Sequence, residues 1–327
     1  MLRSVILAAA RSPRVERLVQ TAPVSRDVVR RFVAGTTVGD ALRVSLGLAA
    51  DGLTVSLDYL GEDTRTPEHA EATRAEYLRL IAALADAGLT PKGPGSKSRR
   101  GAPAQSSPSS PVLADVSLKL SALGQRFDEK LAYEHAKAIC AGAAAAGTTV
   151  TIDMEDHATT DSTLDILARL RVDFPGTGAV LQAYLRRTEG DCRELAGAGS
   201  RVRLCKGAYR EPETVAYGTR LDIDKSYVRC LNILMSGDGY PMVATHDPRL
   251  VAIAEDRAKW FDRAPESFEF QMLYGVRPTE QARLVDAGYT MRVYVPYGTQ
   301  WYGYLMRRLA ERPANVAFFA RALASRD

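Results

Sequence analysis

Eight short runs rich in β-branched and apolar residues recur along the chain, and stretches with helical periodicity separate them. The runs are LTVSLDYL (53–60), VLADVSLKL (112–120), TTVTIDME (148–155), GAVLQAYL (178–185), RVRLCK (201–206), PMVATH (241–246), FEFQML (268–273) and MRVYVP (291–296). Between them lie amphipathic patterns such as PEHAEATRAEYLRLIAALADAG and DEKLAYEHAKAICAGAAAAG. Strands that alternate with helices build parallel sheets, because parallel neighbours need a crossover between them. Eight such units within about 250 residues predict an α/β fold of the (βα)8 barrel type. An open doubly wound sheet is the alternative. Against it, no GxGxxG follows any run, and AGAGSR has neither that spacing nor a preceding strand. Residues 1–50 then read as an N-terminal helical segment and 51–327 as the barrel.

A chain of 327 residues with 46% hydrophobic content is long for one ordinary domain and normal for such a barrel. No apolar run approaches the ~20 residues of a membrane span. The opening MLRSVILAAARS holds only VILAAA as an apolar stretch. That is shorter than the ~7–15 residues of a signal-peptide core, so it reads as the first turns of an amphipathic helix. A net charge of +4 is too mild to argue for nucleic acid. Arg3, Arg11, Arg14, Arg17, Arg26, Arg30 and Arg31 give the N-terminal segment a basic face. That face is either solvated or a contact for an anionic membrane surface. Cys140, Cys192, Cys205 and Cys230 show no CxxC spacing, which fits a reduced, cytoplasmic setting. The four histidines form no HExxH pair, so no metal site is expected. Gly93 to Pro111, GPGSKSRRGAPAQSSPSSP, lacks large apolar residues and reads as a disordered loop. Its GPGSKS fragment lacks the spacing and context of a phosphate loop.

Barrel enzymes carry their chemistry at the C-terminal ends of the strands. Here those ends hold Asp58 and Glu62, Lys119, Asp153 and Glu155, Gln182 and Tyr184, Arg203 and Lys206, Thr245 and His246, Gln271, and Tyr294. Polar strand ends also arise simply because water begins there. Taken together, Lys119, Arg203 and Lys206 would meet Arg307 and Arg308 of the last helical stretch in a cationic, anion-binding mouth with few carboxylates to neutralise it. The adjacent Arg307 and Arg308 project about 100° apart on a helix, so they cannot share one packing direction. A solvated face with Glu311 as ion-pair partner is the plain reading of that stretch. Gly207 and Ala208 after the fifth run would allow close backbone approach to a flat ligand. His246 in THDP suits either a phosphate contact or a loop brace.

SLKLSALG, IDMED, VLQAYLRRT, RLCKGAYRE, THDP, EFQMLYGVR and RVYVPYGTQWYGYLMRRLAE together resemble the proline dehydrogenases of the short monofunctional bacterial type, in family order from about Leu53 to Pro313. The resemblance implies a distorted (βα)8 barrel, a last helix over its mouth, and non-covalent FAD. It implies oxidation of L-proline to Δ1-pyrroline-5-carboxylate by hydride transfer to flavin N5. Electrons would pass to a membrane quinone, with peripheral contact at the inner membrane face. A separate pyrroline-5-carboxylate dehydrogenase would take the product. By the same resemblance Arg307, Arg308 and Lys119 hold the substrate carboxylate, while Tyr294, Asp153, Leu273 and Tyr209 wall the ring. Glu62 gates the site by pairing with Arg307. Met154, Gln182, Arg203, Lys206, Gly207, Ala208, Thr245, His246, Gln271 and Glu311 meet the flavin dinucleotide. Two departures stand out: the 93–111 loop is long for the family, and Cys205 replaces a usual valine. The alternatives are a Schiff-base aldolase using Lys119 or Lys206, and a non-catalytic anion-binding barrel.

Overall fold

The computed structural model describes residues 29–61, 64–91 and 112–311, with backbone alone for 307–311. The expected loop at 93–111, the opening helix and the gate residue Glu62 lie outside the described residues.

Helix α1 (Val38–Ala50) precedes strand β1 (Thr54–Tyr59). There follow α2 (Pro67–Asp86), β2 (Ala114–Leu118), α3 (Glu129–Ala145), β3 (Val150–Ile152), α4 (Thr160–Asp173) and β4 (Gly178–Gln182). The second half continues with α5 (Thr188–Leu195), β5 (Arg201–Cys205), α6 (Arg220–Ser236), β6 (Tyr240–Ala244) and α7 (Pro248–Trp260). It ends with β7 (Glu269–Leu273), α8 (Pro278–Asp286), β8 (Thr290–Tyr297) and α9 (Trp301–Glu311). The eight strands are all parallel and close in sequence order, β8 pairing back onto β1 with Ser56 opposite Tyr294. The doubly wound alternative is therefore excluded.

Local sequence sets the boundaries. Thr66 caps α2 through the His69 N–H, with Pro67 at the first helical position, where its missing donor costs nothing. Asp247 with Pro248 starts α7 in the same way. The third and fourth strands are shorter than their apolar runs, stopping at Ile152 and Gln182. Asp153 still hydrogen-bonds across to Leu118, but the chain beyond it turns away to serve side chains. Lys119 sits at the turn that opens a short 3-10 helix, Leu120–Leu123.

The strands are buried on both faces, and the two faces differ. Val55 and Leu57, Val116 and Leu118, Val202 and Leu204, and Val293 and Val295 join the aliphatic layer packed by the helices. The alternate positions are polar: Ser56 and Asp58, Asp115 and Ser117, Thr151 and Asp153, Arg201 and Arg203, Glu269 and Gln271, then Arg292 and Tyr294. Barrel interiors are ordinarily filled by branched aliphatics. Here hydrogen bonds such as Arg203 to Ser56 cross from strand to strand, so much of the lumen is packed with charge. After β8 the chain turns through Gly298 into α9, which buries Tyr302, Tyr304, Leu305 and Met306. Ala34 and Ala41 share the barrel's hydrophobic core, so the residues around α1 are packed onto it.

Candidate active site

The centre of the site is a carboxylate shared by four donors. Asp153, just past β3, accepts from Ser117 Oγ at 2.8 Å and Arg203 Nη1 at 2.7 Å through one oxygen. Its other oxygen accepts from the Tyr294 hydroxyl at 2.7 Å and lies 3.4 Å from Lys119 Nζ. Lys119 also donates to Asp58 at 2.7 Å and lies 3.3 Å from the Tyr294 oxygen. Tyr77, reaching in from α2, donates to the Ser117 carbonyl at 2.7 Å and approaches Asp58. Burial pushes the Asp153 carboxyl upward, but Lys119, Arg203 and the Tyr294 hydroxyl outweigh it and hold the group below the usual carboxylate range. Burial and the Asp153 charge raise the Tyr294 phenol well above its ordinary value, so it remains a donor. The Arg203 guanidinium lies 5.2 Å from the centre of the Tyr294 ring.

Arg203 ties this cluster to a second ionic layer deeper in the barrel. Its Nε donates to Gln271, whose amide donates to Glu269. Glu269 takes a two-pronged ion pair from Arg292, at 2.7 and 3.0 Å, with both side chains fully buried. Arg292 also donates to the carbonyls of Val55 and Val112. Arg201 lies 3.6 Å from Asp115 and stacks on the Tyr240 ring. Burial opposes ionisation of Glu269, yet Arg292 and Arg201 hold it down to about 2.

These pairings correct the expectation of a cationic mouth short of carboxylates. Lys119, Arg201, Arg203 and Arg292 are matched by Asp58, Asp115, Asp153 and Glu269, so these interior charges cancel. Lys206 is likewise committed: it bonds Asp224 and lies 3.0 Å from Asp247, both of which Arg249 also meets. Asp115, Arg201, Glu269 and Arg292 were not singled out from sequence. Each is set one or two strand steps inside a strand-end residue, and period-two alternation in ADVSLK, RVRLC, EFQML and MRVYV was the available signal.

At the rim, Gln182 donates to the Glu155 carbonyl at 2.7 Å. Glu155 accepts from the Ser121 N–H and hydroxyl, and burial raises its pKa. Gly207 has φ +104, and a Cβ there would come within 2.1 Å of the Tyr184 ring. Its glycine is thus required by a protein neighbour, a different reason from the ligand approach expected. His246 accepts the Leu273 N–H on Nε2 at 2.9 Å, the loop-bracing arrangement. Thr245 accepts from the Asp247 N–H at the start of α7. Met154 is buried, while Ala208 and Tyr209 are exposed on the connection after β5. Arg307, Arg308 and Glu311 fall on α9, where only their backbone is described.

The matches to known proteins agree with this architecture. The Proline dehydrogenase family model matches residues 41–321. Proline dehydrogenase 1 of Bacillus subtilis is 35% identical over 323 residues, covering 99% of each chain. Proline dehydrogenase 2 of the same species is 38% identical over 90% of this chain and 89% of its own. The proline dehydrogenase of Deinococcus radiodurans is 36% identical over 99% of this chain and 98% of its own. Among solved structures, proline utilization A from Bdellovibrio bacteriovorus, inactivated by N-propargylglycine, superposes with a TM-score of 0.76 at 26% identity. That match covers 94% of this chain and 36% of the longer protein. Closed barrel, strand-end cluster and near full-length relatives coincide, and the chain belongs to the proline dehydrogenase family.

Proposed function

We propose that this protein oxidises L-proline to Δ1-pyrroline-5-carboxylate with FAD held non-covalently at the C-terminal end of the barrel. The observation that carries the reading is the Asp153 cluster, which brings Lys119, Arg203 and Tyr294 together at that end in a chain related to proline dehydrogenases along nearly its whole length. Lys119, with Arg307 and Arg308 from α9, binds the proline carboxylate, a geometry that paired guanidinium groups suit. Tyr294, Leu273 and Tyr209 enclose the ring. Asp153 fixes Lys119 and Tyr294 in place, so orientation comes from an ion cluster that is already ordered. Glu62 closes the site by pairing with Arg307.

The donor set fits a flavin dinucleotide. Arg203 has four of its five N–H groups committed to Ser56, Ser117, Asp153 and Gln271, leaving one for a ring edge. Among the described residues Lys206, Arg220 and Arg249 pair with Asp224 and Asp247, three cations to two carboxylates, an excess of one positive charge suited to a diphosphate. Met154, Gln182, Gly207, Ala208, Thr245, His246, Gln271 and Glu311 complete the seat. Bound FAD supplies the acceptor for a hydride from proline C5. A membrane quinone would take the electrons, and the basic N-terminal segment, residues 1–50 ahead of the 51–327 barrel, would supply peripheral membrane contact. Among the described residues no helix is long and apolar enough to cross a membrane. Lys119, shared between two carboxylates, is a poor Schiff-base nucleophile.

The test is spectroscopic. The protein should copurify with FAD, and excess L-proline should bleach the visible band anaerobically. Folded, FAD-reconstituted protein that does not bleach defeats the proposal.

A further inference from the structure

The segment from Lys206 to Tyr217 folds around one residue, Tyr184. The Tyr184 N–H donates to the Lys206 carbonyl at 2.9 Å, and its own carbonyl accepts the Tyr217 N–H at 2.8 Å. Its ring fills the space where Gly207 lacks a side chain. Its hydroxyl donates to Glu211 Oε1 at 3.1 Å. One tyrosine therefore touches both ends of the segment and its middle.

Glu211 extends the fastening to a third connection. Its side chain is only 4% exposed, and Oε1 also accepts the His157 backbone N–H at 3.0 Å. The second oxygen, Oε2, meets His157 Nδ1. His157 lies four residues past Asp153, on the connection after β3. A buried carboxylate is costly unless its oxygens are satisfied. Here the satisfaction comes from residues that follow β3 and β4, while Glu211 itself follows β5. Those connections carry Met154, Gln182 and Lys206–Ala208. Neither Glu211 nor the Tyr184 hydroxyl has a role among the groups assigned to proline or FAD.

We propose that Glu211 and Tyr184 are positioning residues that hold Lys206–Tyr209 against the neighbouring strand ends and thereby set the affinity for FAD. This rests on the FAD reading above. Without Glu211 the segment keeps its backbone anchors at Lys206 and Tyr217 and the contacts of Val215 and Ala216 with Arg186 and Leu185. Its middle is released, and ordering it must then be done by the ligand.

The experiment measures FAD dissociation constants on flavin-free protein by flavin fluorescence quenching, for wild type, Glu211→Ala, Glu211→Gln and Tyr184→Phe. Proline KM at saturating FAD and the melting temperature of the flavin-free protein are read alongside. Glu211→Ala should weaken FAD about tenfold or more, the equivalent of one charge-assisted hydrogen bond. Glu211→Gln should recover most of that, because its amide oxygen can accept from both the His157 N–H and the Tyr184 hydroxyl. Tyr184→Phe removes a single oxygen and should weaken FAD about threefold with little effect on folding. Proline KM at saturating FAD should stay within about twofold, since bound FAD then orders the segment that carries Tyr209. FAD affinity equal to wild type in Glu211→Ala overturns the inference. If that variant does not fold, unchanged affinity in Tyr184→Phe overturns it equally. Failure of folded wild-type protein to take up any FAD strikes instead at the flavin reading itself.

Discussion

Replacing Arg292 by Met should destabilise the protein severely, and the cost can be apportioned from its contacts. Arg292 is fully buried, holds both oxygens of an equally buried Glu269, and donates to two backbone carbonyls. Methionine matches much of its length but leaves Glu269 charged in the barrel interior with, among the described residues, Gln271 and Tyr240 as its remaining hydrogen-bond partners. Breaking one side of a buried pair costs roughly 3–5 kcal/mol. The released carbonyls of Val55 and Val112 add about 1 kcal/mol each if nothing replaces the lost donors. The total is then roughly 3–7 kcal/mol, and for a chain of this size each kcal/mol lowers the melting temperature by roughly 2–3 °C, so a fall of roughly 6–21 °C is expected. The double variant Arg292→Met/Glu269→Met removes the stranded charge and should recover at least about 2 kcal/mol of the loss. The assay is urea unfolding of flavin-free wild type, both single variants and the double variant, followed by far-UV circular dichroism. If Arg292→Met alone loses under about 1 kcal/mol, or the double variant is worse than the sum of the singles, the paired-charge account of the interior is wrong.

Acid should act on the same layer. Glu269 is held to about 2 against an ordinary value near 4.3, so its contribution is complete above about pH 4.3 and is lost as pH falls toward 2. That contribution is on the order of 3 kcal/mol, and Glu269→Gln should flatten this part of the pH–stability curve. An unchanged slope in that window would remove Glu269 from the account. Glu62→Ala should raise KM for proline well over tenfold while FAD stays bound, because desolvated charge pairs are worth roughly 2–5 kcal/mol. An unchanged KM means no gate operates. Arg308→Met should abolish most proline affinity and barely move the melting temperature of the FAD-bound enzyme; a large stability loss with normal kinetics would make Arg308 structural. Tyr294→Ser should lower proline turnover and narrow the preference for L-proline over trans-4-hydroxy-L-proline, which shape discrimination sets at about 10- to 200-fold. An unmoved kcat/KM ratio would clear Tyr294 of that role.

The barrel was legible because its signal is local and repeated. Every one of the eight apolar runs became a strand, since β-branched runs flanked by helical patterns leave little else to form. Errors at the ends have a common cause. Asp153 and Tyr184 continue the sequence pattern of their runs and each keeps a backbone bond to a neighbouring strand end, Leu118 and Lys206, but the strands stop at Ile152 and Gln182, and polarity alone does not mark that end. The strand-end polar residues were visible one at a time, and their charge state as a group was not. Asp58 and Lys119 are 61 positions apart, and nothing in either run announces a 2.7 Å contact. Glu211 and His157 are separated by 54 positions and belong to loops, where no periodicity operates. The deep charges were hidden for another reason. RVRLC satisfies a strand reading on its apolar residues, so Arg201 passes as a surface position until the other face of the sheet is seen to be closed.

The closed, charge-balanced interior changes what the last helix has to do. A mouth lined by unpaired cations could hold a carboxylate by itself. Instead, Lys119 already serves Asp58 and Asp153, and Arg203 is fixed by Ser56, Ser117, Asp153 and Gln271. An anion entering against that cluster meets as much negative as positive charge, so Lys119 can give a substrate carboxylate a hydrogen bond but little net attraction. Positive charge for an anionic substrate must therefore come from outside the strands. In the proposed function that source is Arg307 and Arg308, which explains why two permanent charges stand side by side after a stretch of α9 that buries Tyr302, Tyr304, Leu305 and Met306. In that reading the division of labour is thermodynamic: paired charges in the barrel remain in position without a ligand, while the attraction that distinguishes bound from free substrate resides on α9.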